Sequence, residues 1–271
     1  MGPIGVFDSG YGGLTILEAF QRQLPGYDYL YLGDNARTPY GNRSFDVVYE
    51  YTLEAVRYLF GRGCSLVILA CNTASAKALR SIQQVDLPKM DDSKRVLGIL
   101  RPTAEALGNM TRSRHVGLLG TAGTIQSGSY PIEINKLYPD IRVVSMACPM
   151  WVPLVECGEH HSPGARYFVQ KYLDGLFAQD DKIDTIILGC THYPLLLDLI
   201  REYVPAGVNI VTQGKLVARS LADYLQRHPE MAARCSQNGQ TTYLTTEAAS
   251  KFEDMADVFS HGQICARQVR L

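Results

Sequence analysis

The chain has 271 residues, 26 of them basic against 27 acidic, and 46% of them apolar. That is enough for one large domain or two of ordinary size. The balanced charge argues against a dedicated nucleic-acid or anionic-membrane surface, and no apolar run approaches the roughly 20 residues of a membrane span. The N-terminus, MGPIGVFDSG, lacks the charged and long apolar regions of a secretory leader, and Val6 stands where a myristoylation signal needs a hydroxyl. Seven cysteines are scattered without a framework, so free thiols in a reducing, cytoplasmic setting are expected.

Short apolar runs alternate with amphipathic stretches. Residues 4–7 predict a strand that runs into Asp8-Ser9-Gly10-Tyr11-Gly12-Gly13 and then a helix over 14–23. The glycines permit a tight turn, but the loop lacks the Lys-Ser/Thr pair and the spacing of a phosphate cradle. Asp8 and Ser9 fall at the strand end, where ligands bind in α/β folds. A second strand over 29–32 leads to a turn-rich loop containing Thr38-Pro39-Tyr40-Gly41. A helix over 44–62 follows, with Ser44 as its N-cap. Residues 66–70, LVILA, predict a strand buried on both faces that ends on Cys71-Asn72-Thr73. A helix is expected over 74–85, and the polar stretch 86–95 suits a domain crossing.

Further on, 116–120 is a strand ending in Thr121-Ala122-Gly123-Thr124, and 129–137 and 142–146 read as helix and strand. Residues 156–163, ECGEHHSP, read as a loop. The run TIILG then ends on Cys190-Thr191-His192, almost repeating the Cys71 stretch. A short strand over 209–211 enters a helix over 215–228. Residues 229–239 look polar and mobile, and a β-rich run at 241–245 precedes a closing helix over 247–259. Strands alternating with helices throughout predict an α/β fold with largely parallel sheets. Asp8 to Cys71 and Thr121 to Cys190 have similar spacing. Two such halves facing each other would put both thiols on one cleft.

Two strand-end thiols suit removal of a proton from one face of a carbon and return of a proton to the other. Helix N-termini favour the thiolate, and Asp8 and His192 are the neighbouring proton acceptors. Ser9, Asn72, Thr73, Thr121 and Thr191 would supply hydrogen bonds to a substrate carboxylate. The competing reading of a buried Cys is a small core hydrophobe, and that is expected of the other five. Cys157, His160 and His161, with Glu156 and Glu159, have spacing unlike zinc sites. A loop near the cleft, with Glu156 orienting an imidazole, is favoured over a metal centre. No C-x-x-C occurs, which weakens a redox reading.

DSGYGG, GDNARTPYG, ACNTAS, GTAGT and GCTHYP, in this order, resemble the glutamate racemases of bacterial cell-wall synthesis. The resemblance implies two pseudo-symmetric α/β domains, taken as 1–97 plus 210–271 and 98–209, with the site between them. It implies a cofactor-independent interconversion of L- and D-glutamate that feeds peptidoglycan synthesis, no metal, and a homodimer. Cys71 would act on the D enantiomer with Asp8, and Cys190 on the L enantiomer with His192 and, behind it, Glu156. Asp8, Ser9, Tyr40, Gly41, Asn72, Thr73, Thr121, Thr124, Thr191 and His192 match substrate-binding positions. Many relatives have an Asp-Ser pair where this chain has Thr212-Gln213-Gly214, so the resemblance gives that loop no role. An aspartate racemase is the rival within the class, and a non-catalytic module for an acidic metabolite the rival outside it.

Overall fold

In a computed structural model that describes residues 1–260 and 262–271, ten strands form two parallel sheets. The first has the order β10-β9-β2-β1-β3-β4, built from β1 (Ile4–Asp8), β2 (Tyr29–Gly33), β3 (Leu66–Leu69), β4 (Arg95–Gly98), β9 (Thr241–Thr245) and β10 (Ala266–Gln268). The second has the order β6-β5-β7-β8, from β5 (His115–Gly120), β6 (Arg142–Ala147), β7 (Thr185–Gly189) and β8 (Asn209–Val211). Strands β1, β2, β3 and β7 are buried at every position. That follows from uninterrupted apolar runs covered by helices on both faces.

The halves share one winding. Each starts on a central strand, adds the next strand to one side, then crosses back to add two more on the other. The crossing point lies between β1 and β3 in the first sheet and between β5 and β7 in the second. Strand ends at such a switch point form a crevice. Asp8 and Cys71 therefore flank one crevice, and Thr121 and Cys190 flank the other.

Local differences from the expected elements have physical reasons. The helix expected over 74–85 starts at Asn72 and continues in segments to Met90, through a wider turn over Ile82–Asp86. Pro88 does not stop it, because Pro88 lies in the first turn of the Leu87–Met90 segment, where its missing N–H is not needed. Arg95–Gly98 pairs with β3, so the chain leaves the first sheet only after Gly98, beyond the expected crossing at 86–95. Glu156 ends a helix, Trp151–Glu156, rather than opening a loop. The segment 229–239, expected to be mobile, buries Met231 and Cys235.

The Asp28 carboxylate also ties that segment down. It accepts from the Asn238 backbone N–H at 2.9 Å, the Asn238 Nδ2 at 2.7 Å and the Gln240 N–H at 2.9 Å. Burial pushes the Asp28 pKa up, but these bonds and one from Ser236 outweigh it and lower the pKa to about 2. A depressed carboxylate contributes stability above its unfolded pKa of about 4, and loses it as pH falls through the folded value. Asp28→Asn is expected to cost roughly 2 kcal/mol and about 5 °C in melting temperature at pH 7. The gap from the parent should narrow in melts run toward pH 2.

Candidate active site

Cys71 follows β3 and caps the helix Asn72–Lys77, its Sγ accepting from the Ala74 N–H at 3.4 Å. Ser9, beyond β1, places its Oγ 3.2 Å from the same sulfur. Burial first, then the Asp8 charge, push the Cys71 thiol up to about 12, against the bonds from Ser9 and Ala74. Asp8 itself is buried. Its Oδ2 accepts from the Gly10 N–H at 3.0 Å, while its Oδ1 is buried without a partner. Burial raises the Asp8 pKa, partly offset by His192 and by the N–H groups of Gly13 and Gly10.

On the other side Cys190 follows β7. Its Sγ lies 3.9 Å from His192 Nδ1, and His192 Nε2 lies 2.9 Å from Glu156 Oε1. Burial alone would lower the His192 pKa, but its bonds to Cys190 and Glu156 prevail and hold it well above the ordinary imidazole value. The ring is also packed edge-on against Phe259 at 5.1 Å. Gly12 leaves room for this arrangement: a Cβ there would lie 2.2 Å from Thr191 Oγ1 and 2.5 Å from His192 Nδ1. Gly12→Ala is expected to displace His192 and cut turnover by at least about tenfold, as steady-state rates would show.

Both thiols line one cavity, together with Ser9, Tyr40, Gly41, Asn72, Thr73, Thr121, Thr191 and His192. Asp8, Thr124 and Glu156 sit behind this lining and bear on it through other groups. Thr73 Oγ1 is 2.9 Å from Thr121 Oγ1 and 3.3 Å from Thr124 Oγ1, and the last two are 3.0 Å apart. This triangle of hydroxyls joins the strand ends of the two sheets. The Gly123 N–H donates to the Gly41 carbonyl at 2.7 Å across the same gap. Tyr40 lines the cavity, but its hydroxyl donates to the Asp34 carboxylate, which also takes Arg37 Nε at 2.6 Å and Thr246 Oγ1 at 2.8 Å. The Tyr40 side chain thus anchors the loop whose next residue, Gly41, also lines the cavity.

Sequence reasoning missed several groups here. Cys148, expected to be an inert core thiol, also lines the cavity, with Pro149, Val152 and Pro153. Burial and nearby Cys190 hold the Cys148 thiol well above its usual range. Phe259 and Asp34 act through contacts between distant segments, for which the sequence carries no local signal. Of the other cysteines, Cys64 and Cys235 are buried as expected, whereas Cys157 and Cys265 are exposed, on a helix end and before β10. Among the described residues no three His, Cys, Asp or Glu side chains converge as a metal site, and no helix is long and apolar enough to cross a membrane.

A sequence profile described as Asp/Glu/Hydantoin racemase matches residues 11–221. A glutamate racemase from Ruegeria sp. is 40% identical, over 96% of this chain and 97% of its own. Among solved structures, a glutamate racemase from Bacillus anthracis superposes with a TM-score of 0.90 at 35% identity, over 100% of this chain and 98% of that one. One from Francisella tularensis, in complex with D-glutamate, gives 0.88 at 28% identity, over 99% and 97%. The chain belongs to the Asp/Glu/Hydantoin racemase family, within its glutamate racemases.

Proposed function

We infer that the chain interconverts L- and D-glutamate by moving protons between Cα and two sulfur bases. The observation that carries this reading is a pair of strand-end thiols on one cavity, Cys71 beside Asp8 and Cys190 with its sulfur 3.9 Å from His192 Nδ1. His192, held well above the ordinary imidazole value, is the proton carrier next to Cys190. Cys71, buried next to Asp8, keeps its proton. A sulfur on each face of Cα, one to take a proton and the other to give one, is what inversion of L-glutamate needs. The Cα–H bond breaks and its proton goes to the Cys190 sulfur. The carbanion then takes the Cys71 proton on the other face, and the protein returns to its starting charge after the two thiols exchange protons with solvent or their neighbours. For D-glutamate Cys71 must first lose its proton, and the unpartnered Asp8 Oδ1 is the acceptor at hand.

The rest of the cavity suits a carboxylate-bearing guest. Among the described residues its lining has hydroxyls, amides and backbone groups, with no Lys or Arg. Such donors hold an acceptor-only group and stabilise charge that spreads onto it as Cα is deprotonated. The reaction gains and loses no electrons, so proton transfer alone completes it. The product is the enantiomer that peptidoglycan precursors require. The two sheets favour a division into two domains with the expected boundaries moved past β4 and β8, at about 1–98 plus 212–271 and 99–211. Seven free cysteines favour a reducing, cytoplasmic compartment. A homodimer remains the expected assembly, to be read from its mass by light scattering.

The test is incubation of L-glutamate, and separately L-aspartate, with the protein in deuterated water. The expected result is D-glutamate carrying deuterium at Cα, with aspartate inert. Binding without label would favour a non-catalytic module, and preferential labelling of aspartate would overturn the substrate.

A further inference from the structure

We propose that Gln213 is a positioning residue for glutamate binding, because it closes a buried ring of hydrogen bonds that sets which way the Asn72 carboxamide faces. This rests on the reading above that Asn72 touches the substrate. Gln213 stands between β8 and the helix Gly214–Arg227, in the loop to which the family resemblance gives no role. Its side chain reaches the end of the other sheet's crevice. Asn72 Nδ2 donates to Gln213 Oε1 at 2.7 Å, Gln213 Nε2 donates to the Tyr130 hydroxyl at 2.6 Å, and that hydroxyl donates to Asn72 Oδ1 at 2.7 Å. All three side chains are 3% exposed or less.

A ring of this kind could run in either direction, since each member both donates and accepts. Thr103 selects one. Gln213 Nε2 also lies 2.9 Å from Thr103 Oγ1, whose single proton goes to the Ile99 carbonyl at 2.8 Å. In the reverse sense Gln213 Oε1 would face the Thr103 hydroxyl, which could bond it only by giving up the Ile99 carbonyl. Such an unmade bond is heavily disfavoured in a buried site. The Thr103–Ile99 bond therefore favours one direction, in which Tyr130 spends its proton on Asn72 Oδ1 and Asn72 spends one Nδ2 proton on Gln213. The second Nδ2 proton is left to the cavity that Asn72 lines beside Cys71. A substrate carboxylate needs that donor. A reversed amide would present an oxygen and repel it.

Gln213→Met removes the amide at similar length, and Tyr130→Phe removes only the hydroxyl. Each is expected to raise KM for both enantiomers about tenfold while kcat moves less than about threefold, since a ground-state contact loosens and the sulfur chemistry does not. In an Asn72→Ala background neither change should raise KM further. KM within threefold of the parent in both folded variants, or full additivity with Asn72→Ala, would overturn the proposal. If Gln213→Met does not fold, Tyr130→Phe decides alone. An unchanged KM in Asn72→Ala itself would remove Asn72 from the substrate's contacts, and the proposal with it, while racemisation by the two thiols would stand.

Discussion

Cys71→Ala and Cys190→Ala are each expected to lower racemisation by at least about a thousandfold, because each removes the only base on one face of Cα. Both sulfurs are buried at strand ends, so the loss could in principle come from misfolding. The substitution leaves a void of one sulfur atom, which costs little against the stability of a domain this size, and near-parental melting curves are expected. A sharper readout separates the two faces. With Cys190 intact, Cys71→Ala should still wash deuterium from solvent into L-glutamate without forming D-glutamate. Cys190→Ala should do the same with D-glutamate alone. Racemisation near the parent rate in either variant would remove that thiol from the chemistry. Exchange into the wrong enantiomer would reverse the two sides.

Much of this site was legible because strands buried on both faces leave unbroken apolar runs. LVILA and TIILG end where polarity returns, and that return marks Cys71 and Cys190 as strand ends. Parallel winding then decides which ends meet, so Asp8 and Thr121 could be matched to the two thiols by spacing alone. What was not legible depends on partners far along the chain. Nothing near Tyr40 indicates that Asp34 takes its hydroxyl, and nothing near His192 points to Phe259. The segment 229–239 reads as polar because the group that orders it, the Asp28 carboxylate, lies some two hundred residues earlier. Gln213 is the clearest case. A Gln between a short strand and a helix looks like a surface residue, and only the folded chain brings Asn72, Thr103 and Tyr130 to its amide.

His192→Asn is expected to lower kcat/KM about a hundredfold, and by the same factor in both directions. Equality follows from symmetry: the enantiomers have equal free energy, so the ratio of the two kcat/KM values must stay at unity in any variant. The side on which His192 acts must therefore be read from isotope effects. Asn retains a hydrogen-bonding group near Cys190 but cannot hold the proton that Cys190 and Glu156 keep on the imidazole against the effect of burial. The sulfur it serves becomes the slow partner. With L-glutamate deuterated at Cα, breaking that bond on the Cys190 side then limits the rate, and the isotope effect on kcat/KM should rise. With deuterated D-glutamate the bond breaks on the Cys71 side, ahead of the slow step, and the effect should fall toward unity. Glu156→Gln should shift both values in the same sense but less far, because the imidazole keeps its place and loses only the charge behind it. Opposite shifts would put His192 on the Cys71 face, and equal shifts would make its part in proton transfer common to both.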